Sequence, residues 1–176
     1  MGNKLSIITH PNSALREMAR EILASSIISP DVQNLIAAML VTMYGDDGIG
    51  LAAPQVGRSV RIICVGKQAL SMTKNPEDFA HGQDLVLINP QITKKSLRKE
   101  WGMEGCLSVP GVFGEVKRYV TVGVTALSPT GAALAFDASD FLARVIQHEI
   151  DHLDGALFID KARDLVRAKR TSRTEL

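Results

Sequence analysis

The sequence predicts an α+β fold, one of whose two helices carries the pattern H-E-x-x-H. Three observations predict it. Two segments have apolar residues at helical spacing between recognisable caps. The stretches between them read as short strands. Those strands do not alternate regularly with helices, as a parallel doubly wound sheet would require.

The first helix opens at Ser29-Pro30-Asp31, a cap followed by Pro in the first turn. Val32, Leu35, Ile36, Met39, Leu40 and Met43 then form one apolar stripe, and Gly45 supplies the stop. Val60 to Val65 and Leu85 to Ile88 are short apolar runs of the buried-strand kind. Gly66 to Gln83 is polar and irregular and reads as a surface loop. From Val116 to Thr125, Val116, Arg118, Val120, Val122 and Val124 alternate with Lys117, Tyr119, Thr121, Gly123 and Thr125, the pattern of one half-buried strand. Ser128-Pro129-Thr130-Gly131 turns the chain into a hairpin partner over Ala132 to Phe136. The second helix runs from Ser139 to Leu153, with Asp137 or Ser139 as cap and Gly155 as stop.

The 176 residues suffice for one domain with its own core. Apolar residues at 45% and charged residues at 22% exclude a disordered chain. The longest apolar stretch, Leu35 to Tyr44, is interrupted by Thr42 and falls well short of the ~20 residues a membrane span needs. Two cysteines, Cys64 and Cys106, cannot build a multi-bridge secreted scaffold. The opening MGNKLSIITH lacks the apolar run of a secretory signal, although it fits the loose M-G-x-x-x-[ST] acylation pattern. The expectation is a cytoplasmic protein with no membrane partner. A net charge of +1 leaves no footprint for specific DNA binding. Residues 161–176 hold six basic and two acidic side chains, so the expected organisation is one domain over 1–160 and a basic tail or helix over 161–176. That tail is either simply solvated or a docking element for an anionic surface such as RNA.

The strongest chemical signal is Gln147-His148-Glu149-Ile150-Asp151-His152. Histidines four residues apart project from one helix face, one turn from each other, where a metal ion can bridge them. The intervening Glu149 lies close enough to exchange a proton with water held there. Phe141 and Val145 precede His148 on the same stripe, so this face points inward. Five residues match by chance in unrelated proteins, and the bland reading is two core-edge histidines beside a solvated Glu. Two histidines also need a third ligand. His10 and His81 sit in a His-Pro turn and in the polar loop, where exposure is expected. Cys64 lies in an apolar run and reads as a small hydrophobe. Cys106, within Glu104-Gly105-Cys106-Leu107-Ser108-Val109-Pro110-Gly111, has a backbone shaped for close approach. A thiolate with two imidazoles leaves one tetrahedral position open. The rival role for Cys106 is nucleophile with a histidine base; ligation uses both histidines and Glu149 at once.

Gly48-Ile49-Gly50-Leu51-Ala52-Ala53-Pro54-Gln55-Val56-Gly57 adds a third motif, whose small residues let a ligand backbone approach and whose Gln55 can donate to a carbonyl. Together with EGCLSVP and QHEIDHLDG, in this order and rough spacing, it closely resembles the peptide deformylases. The likeness extends to His10-Pro11 and Leu15-Arg16 and spans most of the chain.

The resemblance implies a peptide deformylase-like fold, with mixed or antiparallel sheets packed around a central H-E-x-x-H helix, and a metal held by Cys106, His148 and His152, with water or hydroxide in the fourth position. It implies Fe(2+) in the cell, with Zn(2+), Ni(2+) or Co(2+) able to occupy the same ligands. Glu149 would act as general base and then general acid. Gln55 and the backbone N–H of Leu107 would bind the oxyanion, each contributing ~3 kcal/mol. The backbones of Ile49, Gly50 and Gly105 would pair with the peptide as an added strand. The reaction implied is hydrolysis of the N-formyl group from the formyl-methionine of N-formyl-methionyl nascent peptides, releasing formate. Family members act on chains leaving the ribosome, which makes the basic tail a candidate for ribosome docking.

Phe141, Arg144 and Val145 would wall the methionine pocket. At Arg144 other members often have an apolar residue, and its stem is expected to line the pocket while the guanidinium reaches the rim. Phe113 stands where many relatives have Arg. Glu104 is either an acceptor bracing the Cys loop or a solvated carboxylate. A zinc peptidase of the H-E-x-x-H type would leave GIGLAAPQVG unexplained, and a structural zinc site would need a fourth protein ligand.

Overall fold

The computed structural model describes residues 3–72 and 82–168. His81, much of the polar loop expected over 66–83, and the tail beyond Ala168 lie outside the described residues.

Helix α1 spans Pro30–Gly45, with Ser29 Oγ accepting from the Val32 N–H, as the cap signal required. Strand β1 (Gly50–Ala52) leads into a single 3-10 turn, Ala53–Val56, closed by Gly57 at φ 76°. Strand β2 follows over Ile62–Val65. The polar stretch after it begins with a short helix α2, Lys67–Leu70, where a loop was expected. Strands β3 (Leu85–Lys95), β4 (Lys99–Cys106), β5 (Val109–Tyr119), β6 (Thr121–Leu127) and β7 (Ala133–Ser139) run consecutively into helix α3, Asp140–Leu153. Strand β8, Arg163–Arg167, closes the described chain.

All ladders between these strands are antiparallel. They form a five-stranded sheet in the order β1-β2-β3-β6-β7 and a three-stranded sheet in the order β4-β5-β8. The five-stranded sheet is covered on both faces. Ile63, Val65, Leu87, Val122 and Val124 pack against Leu142, Val145, Ile146 and Ile150 of α3. Ile62, Cys64, Val86 and Ile88 pack against Ile36, Met39 and Met43 of α1. Burial on both faces is why IICV shows no polar alternation. The three-stranded sheet has its own cluster of Val109, Val116, Leu157 and Phe158 with Leu15. Helix α3 therefore lies between the two sheets, and its histidine face is inside the protein.

Two further sequence expectations change. The alternating run from Val116 to Thr125 is two strands, not one: β5 ends at Tyr119, Val120 is a break, and β6 begins in the other sheet. Alternation continues across the break because each half has one face toward a core. The stretch Arg163–Arg167, expected within a tail or helix, is strand β8, with Val112 opposite Arg167 and Phe113 opposite Val166. Backbone pairing to the edge of β5 overrides its polar composition.

Candidate active site

Cys106 is the last residue of β4 and faces Val109 of β5, with Leu107 and Ser108 as the two-residue turn between them. The hairpin tip brings the thiol to α3. Cys106 Sγ lies 3.2 Å from His152 Nε2, and one ligand atom each of Cys106, His148 and His152 fall within 4.8 Å of one another. His152 is buried behind Cys106, its imidazole held well below its ordinary pKa by burial and then by the His148 charge, so it is a neutral nitrogen donor. His148 has its Nδ1 against Glu104 Oε2 at 2.9 Å, which leaves Nε2 toward the thiol. Burial would lower His148, but Cys106 and Glu104 together hold it up to about 10.

Glu149 is buried over Gly50. Burial pushes its carboxyl up to about 7, with the His148 charge opposing. Glu149 Oε2 and His152 Nδ1 are buried with no hydrogen-bond partner among the described residues. One soft thiol, two imidazoles and an unpartnered carboxylate oxygen beside them fit a divalent transition ion better than a nucleophile–base pair.

Gln55 sits in the Ala53–Val56 turn with its amide fixed at both ends. Its Oε1 accepts from the Ala52 N–H at 2.8 Å, while Nε2 donates to Ser108 Oγ at 3.2 Å and reaches Cys106 Sγ at 3.5 Å. The amide hydrogens therefore point at the site, and Ser108 is the partner that sequence reading missed.

These groups open onto a cleft of about 820 Å³. It is lined by Ile49, Gly50 and Gln55, by Gly105, Cys106 and Leu107, and by Phe141, Arg144, Val145, His148 and Glu149 of α3. Every sequence-predicted site residue lines it except His152. Strand β1 is the outer strand of one sheet and β4 the outer strand of the other, so two strand edges border the cleft.

Arg144 departs from expectation. Its guanidinium does not reach the rim: Nη1 donates to Glu104 Oε1 at 2.8 Å and the Val116 carbonyl at 2.9 Å, and Nη2 to the Glu100 carbonyl at 2.9 Å. Gly102 makes this possible, since a Cβ there would stand 2.8 Å from Arg144 Cζ. Glu104 is not solvated. It is buried and receives both Nε and Nη2 of Arg118, at 2.9 and 2.8 Å. Burial works against its charge, but Arg118 and His148 hold the carboxyl well below the ordinary range. Arg118 was legible as a cation on the apolar face of a strand, a placement that demands a buried acid. Phe113, half-exposed at the cleft, lies over Gly105.

The polypeptide deformylase family model matches residues 4–168. The chain belongs to the polypeptide deformylase family. It is 46% identical over 157 residues to peptide deformylase 2 of Vibrio cholerae, covering 89% of this chain and 84% of that one. With the peptide deformylase of Symbiobacterium thermophilum the identity is 44% over 163 residues, 92% of this chain and 68% of the relative. Among solved structures, the Met-Ala-Ser-bound class I type b peptide deformylase of Acinetobacter baumannii superposes with a TM-score of 0.81 at 34% identity, covering 92% and 99% of the two chains. The deformylase of Thermotoga maritima gives 0.80 at 31%, covering 91% and 98%. The chain is thus an enzyme of this family, with the family's fold. No helix among the described residues is long and apolar enough to cross a membrane.

Proposed function

We propose that the protein hydrolyses the N-formyl group of formyl-methionyl nascent peptides, releasing formate and a free amino terminus, with a divalent ion, Fe(2+) in the cell, on Cys106, His148 and His152. The observation that carries this reading is the Cys106–His148–His152 cluster at the head of a cleft bordered by two strand edges. An ion held there supplies Lewis-acid activation of water and of the formyl carbonyl.

The chain's own groups supply the rest. Glu149 takes a proton from the attacking water and returns one to the leaving amine nitrogen; its buried Oε2, with no hydrogen-bond partner among the described residues, is free for both transfers. Gln55 Nε2, held by Ala52 and Ser108, and the Leu107 N–H stabilise the oxyanion as the carbonyl becomes tetrahedral. The backbones of Ile49, Gly50 and Gly105 orient the peptide as a strand between the two edges. Phe141, Val145 and the stem of Arg144 receive the methionine side chain. A formyl group carries only hydrogen beyond its carbonyl, so it fits a site at the ligands that would be too tight for larger acyl groups. The cytoplasm, where new chains emerge and thiolates stay reduced, is the proposed location, and residues 161–176 remain a candidate ribosome contact.

The test is formate release from formyl-Met-Ala-Ser by ferrous protein kept anaerobic, beside Glu149→Ala. Release by the wild type and none by the variant is expected. No release by the wild type would end this reading, and cleavage of the peptide bonds would turn it toward a peptidase.

A further inference from the structure

Both oxygens of Glu104 are committed. Oε1 accepts from Arg118 Nε at 2.9 Å and from Arg144 Nη1 at 2.8 Å, while Oε2 accepts from Arg118 Nη2 at 2.8 Å and lies 2.9 Å from His148 Nδ1. Arg118 approaches from β5 and also donates to Asp151 Oδ2 at 2.6 Å. Arg144 approaches from α3, one helical turn before His148. Its guanidinium is anchored in turn by the carbonyls of Glu100 and Val116, so it ties the histidine helix to the strand that carries Glu104. The space it fills exists only because residue 102 has no side chain.

We propose that Arg144 is a positioning residue for the metal ligand His148: with Arg118 it fixes Glu104 so that Oε2 accepts from His148 Nδ1 and the other ring nitrogen faces the ion. A carboxylate held from one side only can swing about its side-chain torsions, and the imidazole it braces swings with it. Groups that brace a ligating imidazole typically account for about 10- to 100-fold in metal affinity. The inference rests on the metal reading given above and assigns the pocket-wall arginine a task beyond the pocket.

The experiment measures the Co(2+) dissociation constant of the full chain by competition with a chromophoric chelator, together with the visible spectrum of the bound cobalt. Arg144→Met leaves Arg118 on Glu104, so it is expected to weaken cobalt binding by about 10-fold, the lower end of that range, and to alter the ligand-field bands. Arg144→Lys returns a cation to Glu104 without the planar fork and should fall between the two. Gly102→Ala keeps the charge but displaces the guanidinium, and should weaken binding in the same direction. Wild-type affinity and spectrum in Arg144→Met would overturn the proposal; if that variant does not fold, wild-type affinity in Gly102→Ala would do so. A wild-type chain that binds no cobalt would overturn the metal reading itself, and this inference with it.

Discussion

A methyl group on Gly50 would stand 2.3 Å from Glu149 Oε1, so the helix carboxylate occupies the space a side chain on the β1 backbone would need. The glycine of the first motif thus serves the glutamate of the third. Gly50→Ala must push Glu149 away from the ligands or lift β1 from the cleft. A displacement of this size costs about 100-fold in rate where geometry is critical. The expectation is a loss of that order in kcat/KM with the fold retained by circular dichroism; activity within threefold of wild type would contradict it.

Glu149→Gln should separate activity from stability. The raised carboxyl, at about 7 against an ordinary 4.5, binds its proton in the folded state over a range where the unfolded chain has lost it. Its effect on stability is therefore most favourable below pH 4.5 and declines as pH rises toward 7. The glutamine lacks this decline. In metal-free protein the Tm of Glu149→Gln minus that of wild type should increase from pH 5 to pH 8, while formate release falls by about 100- to 10,000-fold. A Tm difference that stays constant with pH would refute the stability half.

The two thiols should react differently. Cys64 is fully buried between α1 and the five-stranded sheet, and burial keeps it protonated. Cys106 lies at the cleft. Metal-free native protein should therefore alkylate at Cys106 with iodoacetamide, leaving Cys64 unmodified until denaturant is added. Mass-spectrometric mapping reads both sites, and early labelling of Cys64 would contradict the assignment.

Gln55→Ala should lower kcat by about 100- to 1,000-fold with little change in metal affinity, because Nε2 is aimed at the site and its removal leaves the three ligands in place. A parallel loss of cobalt binding would show that Gln55 instead holds Cys106.

What was legible in the sequence was local. The caps at Ser29 and around Ser139, the helical stripes, and the two histidines one turn apart each follow from residues near one another in the chain, and the described helices match them within a residue. What was not legible was pairing at a distance. Arg144 reads as a pocket-wall stem with its guanidinium at the rim until Gly102, 42 residues earlier, is seen to leave room for it inside. Arg118 stands out as a cation on an apolar strand face, but Glu104 becomes its partner in a buried ion pair only when β4 and β5 fold together. Strand β8 has too little apolar content to be called a strand alone, and exists because β5 offers an edge.

The central claim, that one ion on Cys106, His148 and His152 makes this cleft a deformylase, is tested most directly by titrating metal-free protein anaerobically with Fe(2+) while formate release from formyl-Met-Ala-Ser is followed. Activity should rise linearly to one equivalent per chain and stay level beyond it, and Cys106→Ala should show no such rise. Full activity in the presence of excess chelator, or a rise that Cys106→Ala preserves, would contradict the account.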